Sequence, residues 1–449
     1  MRAPSPYTGA MPPSNDAHQR HRDAAKGVVV SLREEGFTAY FAGGCVRDEV
    51  LGLAPKDYDV ATSARPDDVK RIFKRVNEVG ASFGVMLVRT RGATIEVATF
   101  RREGAYTDRR RPDDVEYAGP EEDARRRDFT INALYLDPLA PAKEPFAQVD
   151  GEVIDLVEGA ADLASGIVRA VGDADARLAE DDLRALRAVR FAARLGFTIE
   201  QSTSEAIERH AGDLVGISRE RIGDELRLML AHRSRAEAAH LMESLRLVKP
   251  ALDCSAGASP KREDRLLAGL GAGSSFTTAL VAWTIDRLGS QPMDLGLVEA
   301  ESKASIRRLR SALCLSNEER DSIVGIFDSL VKVGQRWGGM TVAQQKRLAV
   351  RPSFDGAMEI FRVADPGAAG IVESRIEELS ATESGLAPKP LLIGDDLIGL
   401  GLSPGPRFRR LLGAVYDGQL EGRISDRAGA LKRAQELGAQ GDPESQGSP

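Results

Sequence analysis

Two periodicities divide this chain. Through the first third, short apolar runs alternate with amphipathic helical stretches; beyond it the pattern is helical alone. Asp23 to Glu35 reads as a helix ending near Gly36, and Phe37–Ala42 as a strand that stops at Gly43-Gly44. Cys45–Leu51 reads as the first turns of a helix, and Asp57–Thr62 as a second strand. Pro66 opens a helix through about Arg75, with proline in its first turn and Asp67-Asp68 at the positive end of its dipole. Phe83–Thr90 and Thr94–Arg101 are β-rich runs joined at Arg91-Gly92-Ala93, and Val149–Leu156 reads as a hairpin around Asp150-Gly151. After Gly172–Asp175 the strands do not return. The pattern predicts an α+β domain with a small mixed sheet over residues 23–168, then all-α segments at 169–235, 236–380 and 381–440. The Pro-, Ser- and Asn-rich residues 1–22 and residues 441–449 read as disordered ends.

The 449 residues, 42% of them hydrophobic, suffice for several domains with cores of their own. Lys and Arg number 61 against 68 Asp and Glu, a formal charge of −7. Any nucleic-acid contact therefore depends on local clusters of Lys and Arg rather than on the total. Cys45, Cys254 and Cys314 lie far apart with no C-x-x-C pair, which argues against a disulfide framework or structural zinc site and fits a reducing cytoplasm. No run of 18 apolar residues exists, so no membrane-spanning helix is expected, and the N-terminus lacks the apolar segment of a secretory signal. A Walker A loop, a catalytic Cys–His pair and a GxGxxG fingerprint are absent, and none of the five histidines is followed by Asp.

Candidate chemistry concentrates in YFAGGCVRDEVLGLAPKDYDVATS, Tyr40 to Ser63. Strand alternation puts Asp57 and Asp59 on one face and Tyr58 on the other. Two carboxylates so placed can hold hard divalent cations such as Mg²⁺. Gly43-Gly44 leave backbone N–H groups beside a helix N-terminus, where a phosphate can sit. Together these are half of a two-metal phosphoryl-transfer site. Farther on, Glu180–Leu195 reads as a strong helix, with Leu183, Leu186 and Val189 in one stripe and Arg184, Arg187 and Arg190 in another; Asp181 lies one turn before Arg184. Asp accepts hydrogen bonds and Arg donates them. Cytosine and adenine both present an amino donor beside a ring acceptor; guanine and uracil present the reverse. A fixed Asp181–Arg184 pair would accept CTP and ATP and reject GTP and UTP, each mismatch leaving desolvated groups unpaired at about 1–3 kcal/mol. Spacing alone describes an amphipathic core helix with a salt-bridged face equally well.

GG-x-VRD followed by KDYDVATSARPDDV resembles the head domain of the class II tRNA nucleotidyltransferase and bacterial poly(A) polymerase family. RRDFTINAL is similar to that family's second head motif, and Glu180–Arg184 to its EDxxR nucleotide-selecting motif, with Asp182 where the family often has proline. The resemblance implies a polymerase-beta-like nucleotidyltransferase head, then a helical neck, body and tail. It implies that Asp57 and Asp59 are catalytic and hold two Mg²⁺, with Glu96 as a third carboxylate. It implies that Gly43, Gly44, Arg47 and Arg127 bind phosphate and nucleotide, that Asp128 and Asn132 place the ribose, and that Asp181 and Arg184 contact the base. Arg187 and Arg190 then contact phosphates or support the pair. ISRERIGDEL, residues 217–226, resembles the motif that packs on the base-reading helix. The charged stretch 101–119 resembles the flexible loop of members that add the terminal adenosine. Arg407, Arg409 and Arg410, after the Pro-Gly-Pro break at 404–406, resemble the tail segment that holds tRNA.

The expectation is thus a cytoplasmic, template-independent CTP/ATP:tRNA nucleotidyltransferase that adds or repairs the 3′-terminal CCA of tRNA and releases pyrophosphate. Its partners are the tRNA 3′ end, CTP and ATP, with no membrane. A bacterial poly(A) polymerase is the near rival; the absence of a basic pair after Gly80 favours CCA addition. An A-adding partial enzyme and a non-catalytic RNA-binding protein are the others, and oligomeric state stays open.

Overall fold

The computed structural model describes residues 15–78, 84–90, 92–103, 115–253, 265–289 and 292–439. The chain divides into two compact units, residues 1–225 with 241–251, and residues 226–240 with 252–449.

One sheet organises the first unit. Its elements run α1 (Asn15–Glu34), β1 (Ala39–Ala42), α2 (Gly44–Val50), β2 (Asp59–Thr62), α3 (Pro66–Ile72), β3 (Val76–Glu78), β4 (Val85–Arg89) and β5 (Thr94–Thr99). A two-stranded ribbon, β6 (Arg101–Glu103) with β7 (Val115–Tyr117), leads into α4 (Pro120–Arg125), and β8 (Tyr135–Asp137) and β9 (Glu152–Ile154) finish the sheet. The seven strands lie in the order β3-β4-β5-β2-β1-β8-β9. β2 and β5 are parallel and the other neighbours antiparallel, so the mixed sheet expected from the sequence is present. Phe41, Val60, Met86, Val88, Ile95 and Val97 fill one face and are almost wholly buried. Apolar residues at alternate strand positions commit that face to the core, while the opposite face carries Asp59 and Glu96 together with a second apolar cluster that includes Ala42, Ala61 and Tyr135. The first unit continues through α5 (Gly159–Ser165), β10 (Ile167–Val168), α6 (Ala174–Glu180), α7 (Leu183–Leu195), β11 (Thr198–Ile199), α8 (Gln201–His210) and α9 (Arg219–Leu230), whose last turns belong to the second unit.

The second unit is helical in all its described secondary structure. Trp283, 1% exposed, lies in its core, and the helices Pro406–Leu420 and Arg427–Ala439 close over Leu397, Leu411, Val415, Ala430 and Ala434.

Several boundaries differ from the sequence pattern. α1 begins at Asn15, so residues 15–22 are helical rather than a disordered end. Periodicity misses them because their anchor is ionic: buried Arg22 binds Glu49 and Asp150. β2 begins only at Asp59, and α7 only at Leu183. The segment at 149–156 is not a hairpin; β9 pairs with β8 instead. Gly151 turns the chain there at φ 139°, where a Cβ would lie 2.6 Å from the Asp137 carbonyl oxygen. Residues 1–14 and 440–449 lie outside the described residues, as do most of the 101–119 loop (104–114) and Gly80 to Phe83, on which the poly(A) distinction rested.

Gly159 is where backbone contact is tightest near the site. A Cβ on it would lie 2.2 Å from the carbonyl oxygen of Thr130, the first residue of the 3₁₀ turn Thr130–Asn132. Gly159→Ala should cost about 2–4 kcal/mol in denaturant unfolding. Gly27→Ala, on α1 with nothing within 4 Å, should change stability by no more than about 1 kcal/mol, in the stabilising direction.

Candidate active site

The sheet face that carries Asp59 and Glu96 lines, together with α7, a cavity of about 670 Å³. That volume is in the range of nucleotide-sized ligands. Gly43, Gly44, Arg47, Asp57, Asp59, Glu96, Arg127, Asp128, Asn132, Asp181, Arg184, Arg187 and Arg190 all line it. Residues separated by more than a hundred positions in the chain are thus brought to one cavity.

The acidic floor comes from sheet register. Asp59 and Glu96 are Cα partners in the parallel β2–β5 pair, so their side chains emerge side by side on the same face. Asp57 precedes β2 and reaches the same cavity. Burial pushes the Asp59 carboxyl up to about 7, with the charges of Glu96 and Asp57 adding to it and Arg127 opposing. Glu96 is also raised, by burial and by Asp57. Three like charges held this close carry a standing repulsion. Among the described residues, the ligand atoms that approach within 4.8 Å of one another belong instead to Asp182, His210 and Asp213, none of which lines the cavity.

Next to the acids stands an arginine and amide wall. Gly43 sits at φ 75°, and a Cβ there would lie 2.8 Å from Arg127 Nη1, so only glycine fits. Its N–H donates to the Leu134 carbonyl and is not open for a ligand. Arg127 donates from Nη1 to the Asn132 carbonyl at 3.0 Å and pairs with Asp123 at 3.3 Å; its buried Nε has no protein partner among the described residues. Arg47, 3% exposed, is fully engaged. It donates to Asp48 at 2.7 and 2.9 Å and to Asn132 Oδ1 at 2.5 Å. The Asn132 amide in turn donates to Asp128 at 3.0 Å. Asp128 also accepts from Arg187 at 2.6 and 2.8 Å and from the Phe129 N–H. Burial favours its neutral form, but Arg187 and these donors hold the carboxyl down at about 2.

The far wall is α7, and here the geometry departs from the sequence reading. Asp181 is not one helical turn before Arg184: it is the extended residue that ends α6, at φ −156°. Nor do the two pair. Arg184 donates to Glu180 at 2.6 Å and to the Arg177 carbonyl, while Asp181 is gripped by both terminal nitrogens of Arg221 at 2.6 and 3.1 Å. Both residues nonetheless face the cavity. Arg187 and Arg190 converge on Glu225, with N–O distances of 3.6 and 2.6 Å, and flank the Phe191 ring.

Sequence reasoning did not assign roles to Arg221 and Glu225. The ISRERIGDEL motif held the signal, since both residues lie in it and both reach the cavity-lining side chains. Arg101, Arg126 and Arg194 line the cavity too, so its arginines outnumber its carboxylates although the whole chain is acidic. In the tail, Arg409 and Arg410 are exposed at the start of the helix Pro406–Leu420, while Arg407 bonds the Gly438 carbonyl.

A family model described as the poly A polymerase head domain matches residues 39–169, and one described as the probable RNA and SrmB- binding site of polymerase A matches residues 196–253. The chain is similar to the CCA-adding enzyme of Lactiplantibacillus plantarum, 33% identical over 418 residues, which are 91% of this chain and 94% of that protein. It is also similar to the CCA-adding enzyme of Limosilactobacillus fermentum, 34% identical over 421 residues, 92% and 97% of the two chains. Among solved structures, it resembles the Bacillus stearothermophilus CCA-adding enzyme in complex with CTP, with 26% identity and a TM-score of 0.74 over 93% of this chain and 99% of that one. A cavity of acids and arginines on a poly(A) polymerase head, with one-third identity across nearly the full length, makes this chain an enzyme of the CCA-adding tRNA nucleotidyltransferase family.

Proposed function

We propose that the protein is a cytoplasmic, template-independent CTP/ATP:tRNA nucleotidyltransferase that builds or repairs the 3′-terminal CCA and releases pyrophosphate. The observation that carries this is the convergence in one cavity of three carboxylates, two of them paired by strand register, and a wall of Asp181 and Arg184 at the head of α7. The domain scheme read from the sequence is part of this proposal: head 23–168, neck 169–235, body 236–380 and a tRNA-holding tail 381–440 with Arg407, Arg409 and Arg410.

Asp57, Asp59 and Glu96 fit divalent cations. They are hard oxygen donors only, and burial, with the neighbouring carboxylates adding to it, raises the Asp59 carboxyl, a cost of ionisation that a bound cation would offset. Bound there, two Mg²⁺ would activate the RNA 3′-hydroxyl and neutralise charge on the leaving pyrophosphate. The protein's own groups orient and select. Arg127, on the cavity wall and pinned by Asp123 and the Asn132 carbonyl, meets the triphosphate. Asn132, held by Arg47 and by Asp128, faces the ribose, and Asp128, its lone pairs taken by Arg187, the Phe129 N–H and Asn132, helps place the ribose through Asn132. Asp181 accepts from the exocyclic amine of cytosine or adenine, while Arg184 donates to the adjacent ring nitrogen. Arg221 supplies the rigidity that Arg184 was expected to give Asp181.

Single-nucleotide incorporation on a tRNA transcript tests these roles. Asp57→Ala should lower the rate by about 10²–10³-fold or more. Arg184→Ala and Arg221→Ala should each raise UTP relative to CTP incorporation by about 10–100-fold, the size of a lost buried hydrogen-bond match. Unchanged incorporation in the first, or full discrimination in Arg184→Ala, would contradict the assignment.

The Asp59 shift sets a pH dependence in the metal-free protein. A carboxyl raised on folding contributes stability that is complete below about pH 4 and lost as pH rises through about 7. Asp59→Asn does not ionise, so its stability relative to the parent should grow by about 1–3 kcal/mol between pH 5 and 8. Urea unfolding in chelator would show this, and added Mg²⁺ should narrow the gap.

A further inference from the structure

Behind the acidic segment lies a chain of polar groups that the reaction does not touch. Tyr58, between Asp57 and Asp59, points away from the cavity and is 1% exposed. Its hydroxyl donates to Glu49 Oε1 at 2.5 Å and lies 3.3 Å from His18 Nε2. Glu49 sits in α2, the helix that starts at the Gly43-Gly44 wall of the cavity. Arg22 of α1 grips the same carboxylate from Nε at 2.7 Å and is itself tied to Asp150 by a 2.8 Å pair and by the Asp150 carbonyl at 2.5 Å. The Tyr58 ring packs on Phe41 of β1, with centroids 5.2 Å apart, and the Arg22 guanidinium stands 5.6 Å from the same Phe41 ring.

This chain acts where the sheet does not. β2 begins at Asp59, so strand pairing fixes Asp59 opposite Glu96 but does not extend to Asp57. Asp57 also faces the repulsion of two neighbouring carboxylates. Tyr58 is the adjacent residue, and its anchored hydroxyl opposes any swing of the backbone that would carry Asp57 outward. A group that holds a ligand's geometry contributes to metal affinity without touching the metal.

We propose that the buried Arg22–Glu49–Tyr58 chain is a positioning device that holds Asp57 in place beside Asp59 for divalent-cation binding. It rests on the reading of Asp57 and Asp59 as cation ligands.

Mn²⁺ binding to the full-length protein without nucleotide, followed by electron paramagnetic resonance of the free ion, tests this separately from activity. Tyr58→Phe removes one hydroxyl and keeps the ring. It should weaken Mn²⁺ binding by about 3–10-fold, less than the loss typical of partners bonded directly to a ligand. The midpoint of Mg²⁺ dependence in CMP incorporation should shift to higher concentration in parallel, while CTP-over-UTP discrimination is kept. Glu49→Gln retains an acceptor for the hydroxyl and should bind Mn²⁺ within about twofold of the parent, whereas Glu49→Leu should match Tyr58→Phe. Parent-like binding in Tyr58→Phe and Glu49→Leu, against a lost site in Asp57→Asn, would overturn the positioning role alone. Parent-like binding in Asp57→Asn as well would overturn the cation site beneath it.

Discussion

The nucleotide cavity depends on the carboxylate of Asp128. It is nine-tenths buried, yet it stays ionised because Arg187, Asn132 and the Phe129 N–H surround it. From it charge-assisted hydrogen bonds run through Asn132 to Arg47 and Asp48 on the sheet side and to Arg187 on the helical side, where a longer 3.6 Å ion pair joins Arg187 to Glu225, the partner of Arg190. An ionised carboxylate with every lone pair used is rigid, and removing any one partner strands a charge in a poorly solvated site. Sheet and α7 are therefore held at a fixed separation by polar contacts, with the cavity between them.

Buried ion pairs add little net stability, since desolvation offsets much of the attraction. Their value here is geometric. On the proposed reading the site reads a base with protein side chains rather than a template, and it then needs donors and acceptors that do not move when the wrong base arrives. Asp181 shows the strategy: both its oxygens are held by Arg221, leaving their remaining lone pairs directed by that grip. The acidic floor works oppositely. Its carboxylates are buried and repel one another, a cost that protonation of Asp59 relieves and that, on the proposed reading, a bound cation relieves at neutral pH.

Much of this was legible in the sequence because it rests on local rules. Strand alternation put Asp59 on the cavity face, the resemblance to a known head domain supplied Glu96, and the two-stripe pattern of α7 placed Arg184, Arg187 and Arg190; the open N–H read at Gly43 is instead taken by the Leu134 carbonyl. What escaped was set by tertiary contact. The first residues of α1 carry no apolar period because Arg22 secures the helix through Glu49 and Asp150, more than a hundred residues away in the second case. The partner of Asp181 was misread because helical spacing favours Arg184, whereas the chain is extended at Asp181 and the neighbour in space comes from α9. The hairpin at Val149–Leu156 failed for the same reason: β9 found a better partner in β8.

The most direct test of the account is growth of three tRNA transcripts, ending before CCA, after C and after CC, with CTP and ATP and Mg²⁺. A single rigid cavity that reads cytosine and adenine should bring all three to CCA and then stop. A long A tail, or no extension of any transcript, would contradict it.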